Sequence, residues 1–282
     1  MTIRRTQGPA FEPLSLTDAK LYLRVDVDDD DTLISALISG AREFAENYTR
    51  RSFIQQSWKL VIDSFPGPDQ FGVPWGRPFT TPSNAFVLER SPTAVVTGIK
   101  YLDMSYTSQV VDPTTYIADY ASEPCRVTPI FGQIWPIPQP QIASIEVDFV
   151  AGWAAPITFS NGQMVVSGIW TPYNVGDPVE LTNVGGALPS ELTASRPYFI
   201  QSVVSPGVYT LAATPGGPAI TFSDTGTGNS LVGSVPAGII NWMKLRIGSL
   251  YENRGEVVIP ERGTVQELPY VNRLLDPYAV IT

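Results

Sequence analysis

The sequence contains no histidine and a single cysteine, Cys125, and these two shortages exclude several kinds of chemistry. Without histidine the chain cannot build a serine–histidine triad, a cysteine–histidine dyad or a zinc site held by imidazole. One cysteine cannot form a disulfide within the chain, so the fold does not need an oxidising compartment. Because a free cysteine is most often a small core residue, we expect Cys125 to be buried rather than nucleophilic.

The sequence also lacks clustered cations and long apolar runs. The net charge is −9, and no run of Lys and Arg could follow a phosphate backbone. No stretch of about 20 apolar residues could span a membrane, and no apolar region follows the two arginines near the N-terminus, as a signal peptide would require. Neither a glycine-rich phosphate loop nor a G-x-S-x-G elbow occurs. We therefore expect a protein of the cytoplasm, or of a particle assembled there, with no membrane partner, no metal and no cofactor.

Two helices are predicted at the start of the chain. Residues 15–18, Ser-Leu-Thr-Asp, are a helix start signal, and the acidic turn at 28–31 provides N-cap candidates for a second helix that runs to about Arg50. That second helix has the strongest periodic pattern in the sequence. Its predicted apolar stripe contains Leu33, Ile34, Leu37, Ile38, Ala41, Phe44, Ala45 and Tyr48.

The remaining chain predicts an α+β protein. The 26 prolines and 23 glycines are spread between short apolar stretches, which indicates many strands and turns. Residues 55–151 predict an antiparallel sheet, and residues 156–233, whose only cation is Arg196, predict a small sandwich or barrel. After Pro236 an apolar helix follows. The predicted architecture is an N-terminal helical hairpin and a C-terminal helix packed with the antiparallel sheet region, plus an inserted all-β module.

Three segments resemble the head–tail connector (adaptor) family of tailed bacteriophages, siphophage type. Residues 14–53 have its helix, acidic turn and helix, ending in Tyr-Thr-Arg-Arg. Residues 147–154 are the β segment VDFVAGWA, and residues 235–256 contain the LYENR signature, followed by LLDPY at 274–278. The resemblance divides the chain into a first connector part at 1–155, an inserted module at 156–233, and a C-terminal helix and arm at 234–282.

The resemblance implies a structural role without chemistry. Such subunits form a ring, implied to be dodecameric, beneath the portal protein of the virion neck. The ring extends the DNA channel, is in contact with packaged DNA without sequence-specific binding, and joins the head to a downstream neck or tail-completion protein. The inserted module is expected to decorate the outside of the particle.

Two sets of residues are predicted contact sites under this resemblance. Trp242, Arg246, Tyr251 and Arg254 on the last helix predict a subunit interface, with an ordinary core helix as the alternative. The C-terminal side chains are too apolar for a solvated tail and predict a portal-docking arm that becomes ordered against a partner. The arm residues are Leu274, Leu275, Tyr278, Val280 and Ile281.

Three other functions are alternatives. Asp26, Asp28 and Asp30 match the start of a calcium loop, but the expected glycine and glutamate are replaced by Asp31 and Leu37, which favours a solvated helix start. Aromatic residues of the inserted module suggest a carbohydrate-binding or adhesion face, although aromatics in so small a module are more often core. These residues are Trp170, Tyr173, Tyr198 and Tyr209. A glycoside hydrolase that uses two carboxylates would need no histidine, but no acidic residue lies in a recognisable catalytic setting.

Overall fold

The computed structural model describes residues 1–67, 84–167, 172–194, 196–252 and 273–280. These residues form two compact units. Unit 1 contains Met1–Gly8, Gln55–Gly152 and Val280–Thr282, and unit 2 contains Pro9–Ile54 and Trp153–Ala279. The elements in chain order are β1 (Thr2–Gln7), α1 (Leu16–Leu23), α2 (Asp31–Thr49), β2 (Gln56–Ile62), β3 (Phe86–Leu88), β4 (Thr93–Leu102), β5 (Ser108–Val110), β6 (Tyr116–Asp119), β7 (Cys125–Pro129), β8 (Ile145–Ala151), β9 (Ala155–Ser160), β10 (Gln163–Val166), β11 (Pro178–Val184), β12 (Pro197–Ser205), β13 (Val208–Ala212), β14 (Asn229–Val232) and α3 (Ala237–Glu252).

A five-stranded antiparallel sheet is the centre of unit 1, in the order β1-β2-β8-β4-β5. β2 alternates buried and half-buried residues, which places Trp58 and Leu60 on the core face. On the other face Lys59 forms ion pairs with Glu146 and, at 3.5 Å, with Asp148. This alternation explains why the predicted strand at this position forms with one apolar and one charged face.

A second, three-stranded sheet in the order β3-β7-β6 completes the core of unit 1. Cys125 is buried in this core and free, as expected from the sequence. Burial raises the pKa of its thiol to about 12. At the exposed end of β6, hydrogen bonds from Ser122 and then Arg126 lower the pKa of Asp119 to about 2.

The three helices of unit 2 share one apolar core. α1 begins where the Ser15 hydroxyl accepts a hydrogen bond from the backbone N–H of Asp18 at 3.0 Å, which confirms the predicted start signal. α2 buries Ile34, Ile38, Ala41 and Ala45, which are spaced by one or two helical turns and meet the buried face of α3. The outer members of the predicted stripe, Phe44 and Tyr48, remain partly exposed on its flank.

Six strands of unit 2 close into a barrel in the order β10-β13-β12-β11-β14-β9. Its interior is filled by inward-pointing apolar side chains such as Met164, Leu181 and Leu211. The barrel starts at Ala155 and its last strand ends at Val232. The predicted α+β class with an additional all-β module is therefore confirmed, whereas the division of the chain into a connector part with an insertion stays a prediction.

Unit 2 contains both the helices and the barrel, while the five-stranded sheet belongs to unit 1. One link between helices and barrel is a parallel bridge of Ile54 with Ala154, next to a small cluster that includes Leu231. Gly185, at φ +76°, lies so close to Ser15 that a Cβ there would be 3.2 Å from the serine Cβ. The barrel is thus packed directly on the residues that begin α1.

Candidate interaction surfaces

Trp242, the central residue of the predicted subunit interface, lies inside the helical core of unit 2. Its side chain is fully buried and stacks on Phe44 with ring centroids 5.6 Å apart. Among the described residues no acceptor is found for its indole N–H. This burial of Trp242 agrees with the alternative interpretation, in which the last helix is an ordinary core helix. A buried side chain cannot itself contact a neighbouring subunit unless the core opens.

Arg246 and Tyr251, by contrast, are partly exposed on α3. The Arg246 guanidinium lies 5.7 Å from the centre of the Phe44 ring, a cation–π contact at the surface of the helices. The Tyr251 hydroxyl donates a hydrogen bond to Asp30 at 2.5 Å. Arg254 lies outside the described residues.

Tyr251 borders a groove between α1 and α3, whose walls include the exposed side chains of Tyr22 and Leu245. At Gly248 the backbone of α3 comes near α1, since a Cβ at this position would lie 3.3 Å from the Tyr22 ring. The sequence did not single out Tyr22, which lies off the apolar stripe of α1, whereas Leu245 was recognisable as an apolar residue off the main face of its helix. We call this surface the α1/α3 groove.

The C-terminal residues pack on the chain itself. Leu275 is fully buried among the helices, and the Arg51 Nε donates to the Tyr278 carbonyl oxygen at 2.5 Å. The Tyr48 hydroxyl donates to the Asp276 carboxylate, also at 2.5 Å. The chain itself supplies these contacts, and the expectation that the arm becomes ordered against a partner stays a prediction.

The three remaining residues of the predicted arm are Leu274, Val280 and Ile281. Leu274 is exposed, Val280 is buried, and Ile281 lies outside the described residues. Of the four predicted docking residues that the structure describes, Leu274 is exposed, Tyr278 is half-buried, and Leu275 and Val280 are buried.

A buried ion cluster fastens α2 to the segment before α1. Arg42 donates to Glu12 at 2.7 Å and to Glu46 at 2.9 Å, and the second oxygen of Glu46 accepts the backbone N–H of Phe53 at 2.9 Å. Both carboxylates are thus occupied by donors, which suits a structural role and not acid–base catalysis. The i, i+4 spacing of Arg42 and Glu46 was the available sequence signal for this cluster.

The acidic turn before α2 is neutralised in part by α1. Lys20 Nζ lies 2.6 Å from Asp28 and 2.7 Å from Asp31. The hydrogen bond with Lys20 lowers the pKa of Asp28, and the same contact raises the pKa of Lys20. In the part of the chain that the structure describes, no three His, Cys, Asp or Glu side chains are arranged to hold a metal ion.

The aromatic residues of the barrel belong to its interior. Tyr198 and Tyr209 are buried, and Tyr173 packs partly against the same core. The Tyr198 hydroxyl accepts the backbone N–H of Thr193 at 2.7 Å, and the Tyr209 hydroxyl accepts that of Tyr173 at 3.3 Å. Trp170 lies outside the described residues. The three described aromatics therefore form no open carbohydrate-binding face.

Comparison with known proteins supports the resemblance drawn from the N-terminal helices. Residues 13–76 match the model of the phage gp6-like head–tail connector family, and this match covers α1 and α2. No curated protein sequence matches the chain. The resemblance to head–tail connectors is thereby confirmed.

Solved structures extend the likeness over the whole chain. A chain in a structure described as the neck of an empty GTA particle, computed with C6 symmetry, matches with a TM-score of 0.55 and 13% identity, covering 100% of this chain and 97% of that one. A chain in the virion of a native gene transfer agent (GTA) particle matches with a TM-score of 0.55 and 12% identity, at the same coverage. A chain in the neck of a native GTA particle, computed with C12 symmetry, matches at 0.52 and 12%, also at that coverage.

The chain has the fold of a virion neck chain. At this level of identity the likeness concerns the fold, and its coverage includes the barrel as well as the helices and the sheets. Among the described residues, none of the helices is long and apolar enough to cross a membrane.

Proposed function

We propose that this chain is a structural subunit of the virion neck, a head–tail connector that joins the head to the neck and tail proteins. One observation supports this above all others: the complete chain shares its fold with chains of solved virion and neck particles. The match of α1 and α2 to the connector family model supports it independently. The role is structural, because it needs no catalytic group, and the buried carboxylates around Arg42 are occupied by donors.

The subunits assemble into a closed ring of twelve copies. The C12 symmetry named for one similar solved neck supports this number, and the C6 symmetry named for another is compatible with it. In a cyclic ring of more than two copies each subunit uses two different surfaces. We assign the α1/α3 groove, together with Arg246 and Arg254, to one of them, since Tyr22 and Leu245 are exposed apolar side chains there.

The ring sits beneath the portal protein and continues the DNA channel. The chain suits a channel that DNA crosses without sequence-specific binding, because its net charge is −9 and the module at 156–233 contains one cation, Arg196. Leu274, with Val280 and Ile281 nearby in sequence, is the proposed docking point for the portal. We further propose that the barrel is an insertion into a shorter connector fold and faces neighbouring virion proteins.

Co-assembly with the portal tests this function. The purified chain is mixed with purified portal rings, and complexes are sized by mass photometry; we expect portal rings that have gained about twelve copies of this chain. Leu274→Glu should reduce binding, whereas the matched variant Val203→Glu, at an exposed apolar position on the barrel, should bind normally. If the wild-type chain fails to bind portal rings under any ratio, the connector assignment is wrong.

A further inference from the structure

Two exposed aromatic rings near the end of α2 are bordered by arginines from distant parts of the sequence. The rings of Phe44 and Tyr48 are stacked with centroids 6.3 Å apart, and each side chain is 40% exposed. The Arg246 guanidinium lies over Phe44. Arg273 is exposed and precedes by three residues Asp276, whose carboxylate accepts the Tyr48 hydroxyl. We call Phe44, Tyr48, Arg246 and Arg273 the arginine–aromatic surface.

The arginine–aromatic surface has an excess of positive charge. Among the described residues, neither of its two guanidiniums forms an ion pair. A third exposed arginine, Arg50, follows Tyr48 by two residues. Two carboxylates adjoin the surface, and both are engaged: Asp276 by the Tyr48 hydroxyl and Glu43 by an ion pair within α2. The surface is therefore matched by a partner that supplies negative charge.

The mixed character of the surface narrows the choice of partner further. Protein interfaces concentrate aromatic side chains and arginine. An uncharged partner would leave the guanidiniums desolvated and unpaired, which is unfavourable. A phosphate backbone would pair with the arginines, but it would meet Asp276 and Glu43 and would leave the two rings without an apolar contact. The surface fits best a protein segment that combines carboxylates with exposed apolar side chains.

The turn at residues 26–31, between α1 and α2, carries such carboxylates. Asp26 and Asp29 are exposed, and among the described residues neither accepts a hydrogen bond or forms an ion pair. The turn contains five aspartates, and the cations next to it are Lys20, which pairs with two of them, and Arg24. Its net charge is therefore negative, with two carboxylates open to a partner.

Exposed apolar side chains accompany these carboxylates, since Leu21 is 78% exposed and Val27 is 59% exposed. The turn precedes α2, and Phe44 and Tyr48 follow Asp31 by 13 and 17 residues. At about 1.5 Å per helical residue, the turn and the arginine–aromatic surface are about 20–25 Å apart on one rigid helix. A copy therefore cannot bring its own turn to its own surface. Its turn can bind the next copy, and repetition of that contact in one direction closes a ring.

We propose that the turn at 26–31 of one copy binds the arginine–aromatic surface of the next copy, with Asp26 and Asp29 facing Arg246 and Arg273. This inference rests on the proposed neck function, in which Arg246 belongs to one of the two ring surfaces, and it names the other surface. Each copy uses both surfaces once, so a closed ring leaves no turn unpaired.

The test reverses the charges on each side of the contact. The turn variant is Asp26→Arg/Asp29→Arg, and the surface variant is Arg246→Asp/Arg273→Asp. Glu180→Arg, at an exposed position of the barrel, is the matched control. Each chain is titrated onto purified portal rings, and mass photometry gives the concentration that half-fills the rings. We expect this concentration to rise at least about tenfold for either variant, because like charges meet across the contact, and to stay unchanged for the control.

A mixture of the two variants identifies the partner. When turn and surface variants alternate around a ring with an even number of copies, every contact joins opposite charges. A single chain that carries all four substitutions also has opposite charges at every contact. We expect both the equal mixture and the four-substitution chain to half-fill portal rings within about threefold of the wild-type concentration.

Every other result contradicts the proposal. Weakening by both variants without recovery in the mixture would show that the two surfaces bind other partners, such as DNA or the portal. Wild-type behaviour of both variants would show that neither surface carries the ring contact. Failure of the wild-type chain to bind portal rings would instead refute the proposed function, and the ring contact with it.

Melting temperatures of the purified variants check that each one folds. If a reversal lowers the melting temperature by more than about 5 °C, the neutral pairs Asp26→Asn/Asp29→Asn and Arg246→Gln/Arg273→Gln take its place. Each neutral pair removes the attraction without adding repulsion, so it should raise the half-filling concentration by about threefold. An unchanged concentration for both neutral pairs would overturn the proposal.

Discussion

Replacement of Trp242 by alanine should destabilise the isolated subunit. Truncating a buried tryptophan lowers the free energy of unfolding by about 3–5 kcal/mol. Removing an indole N–H that has no acceptor among the described residues offsets about 1–3 kcal/mol of this loss. The middles of the two ranges leave a net loss of about 2 kcal/mol, a substantial part of a typical stability of about 5–15 kcal/mol. Trp242→Phe keeps most of the stacking on Phe44 and removes the N–H, so it should cost clearly less.

Urea unfolding followed by far-UV circular dichroism measures both variants. Trp242→Ala should move the midpoint down by about 1–2 M. Leu245→Ala is the matched control, because Leu245 is exposed on the same helix and its loss should change stability by less than about 0.5 kcal/mol. If Trp242→Ala unfolds like this control and yet fails to assemble on portal rings, the core assignment of Trp242 is wrong and the interface interpretation is right.

Four further predictions follow from single contacts. Arg42→Ala should lower the free energy of unfolding, measured in urea, by about 3–5 kcal/mol, because two carboxylates lose their buried partner. Arg42→Met should lower it by less only if those carboxylates take up protons. The pKa of Asp119 is lowered from 3.8 to about 2, so the ionised carboxylate stabilises the fold fully above about pH 4 and loses this effect as the pH falls towards 2. Asp119→Asn should therefore flatten the dependence of the melting temperature on pH between these values. The same pH dependence in wild type and variant would contradict this. Cys125, the only thiol, should react with a disulfide reagent only after unfolding, and a stoichiometric reaction in the native protein would contradict its burial. Leu275→Ala should lower the free energy of unfolding by about 2–5 kcal/mol and Leu274→Ala by less than about 0.5 kcal/mol, and equal effects would refute the docking of the C-terminal turn on the helices.

The helices could be predicted from the sequence because their signals are local. Ser15 caps α1 through a side chain three residues away, and the spacing of Ile34 and Ile38 records which face of α2 is buried. The sequence could not show that Phe44 and Tyr48 stay on the flank of that face, since their exposure depends on where α3 crosses.

The sequence did not predict strands whose apolar and polar residues alternate only weakly. β1 exposes nearly every residue, so it has no period of two and owes its existence to pairing with β2. β9 and β14 close the barrel by pairing with each other across a long stretch of sequence, while Ala219 contributes an isolated bridge with Ala212. Strand order and barrel closure depend on such distant pairs, and a single sequence does not contain them.

For a similar reason the sequence could not decide between the two interpretations of the candidate contact sites. Apolar character identified Trp242 and Leu275, but it does not distinguish burial in the chain's own core from burial against a partner. The apolar sequence after β7 likewise does not show that the strand ends at Pro129 and leaves Ile134 and Ile137 exposed.

A cryo-electron microscopy reconstruction of the particle that contains this chain tests the central claim most directly. The account predicts a closed ring of this chain in the neck, between the portal and the tail, with density that fits both compact units and the six-stranded barrel. A particle in which the chain is absent from the neck, or occurs at the tail tip or on the outer surface of the head, would contradict it.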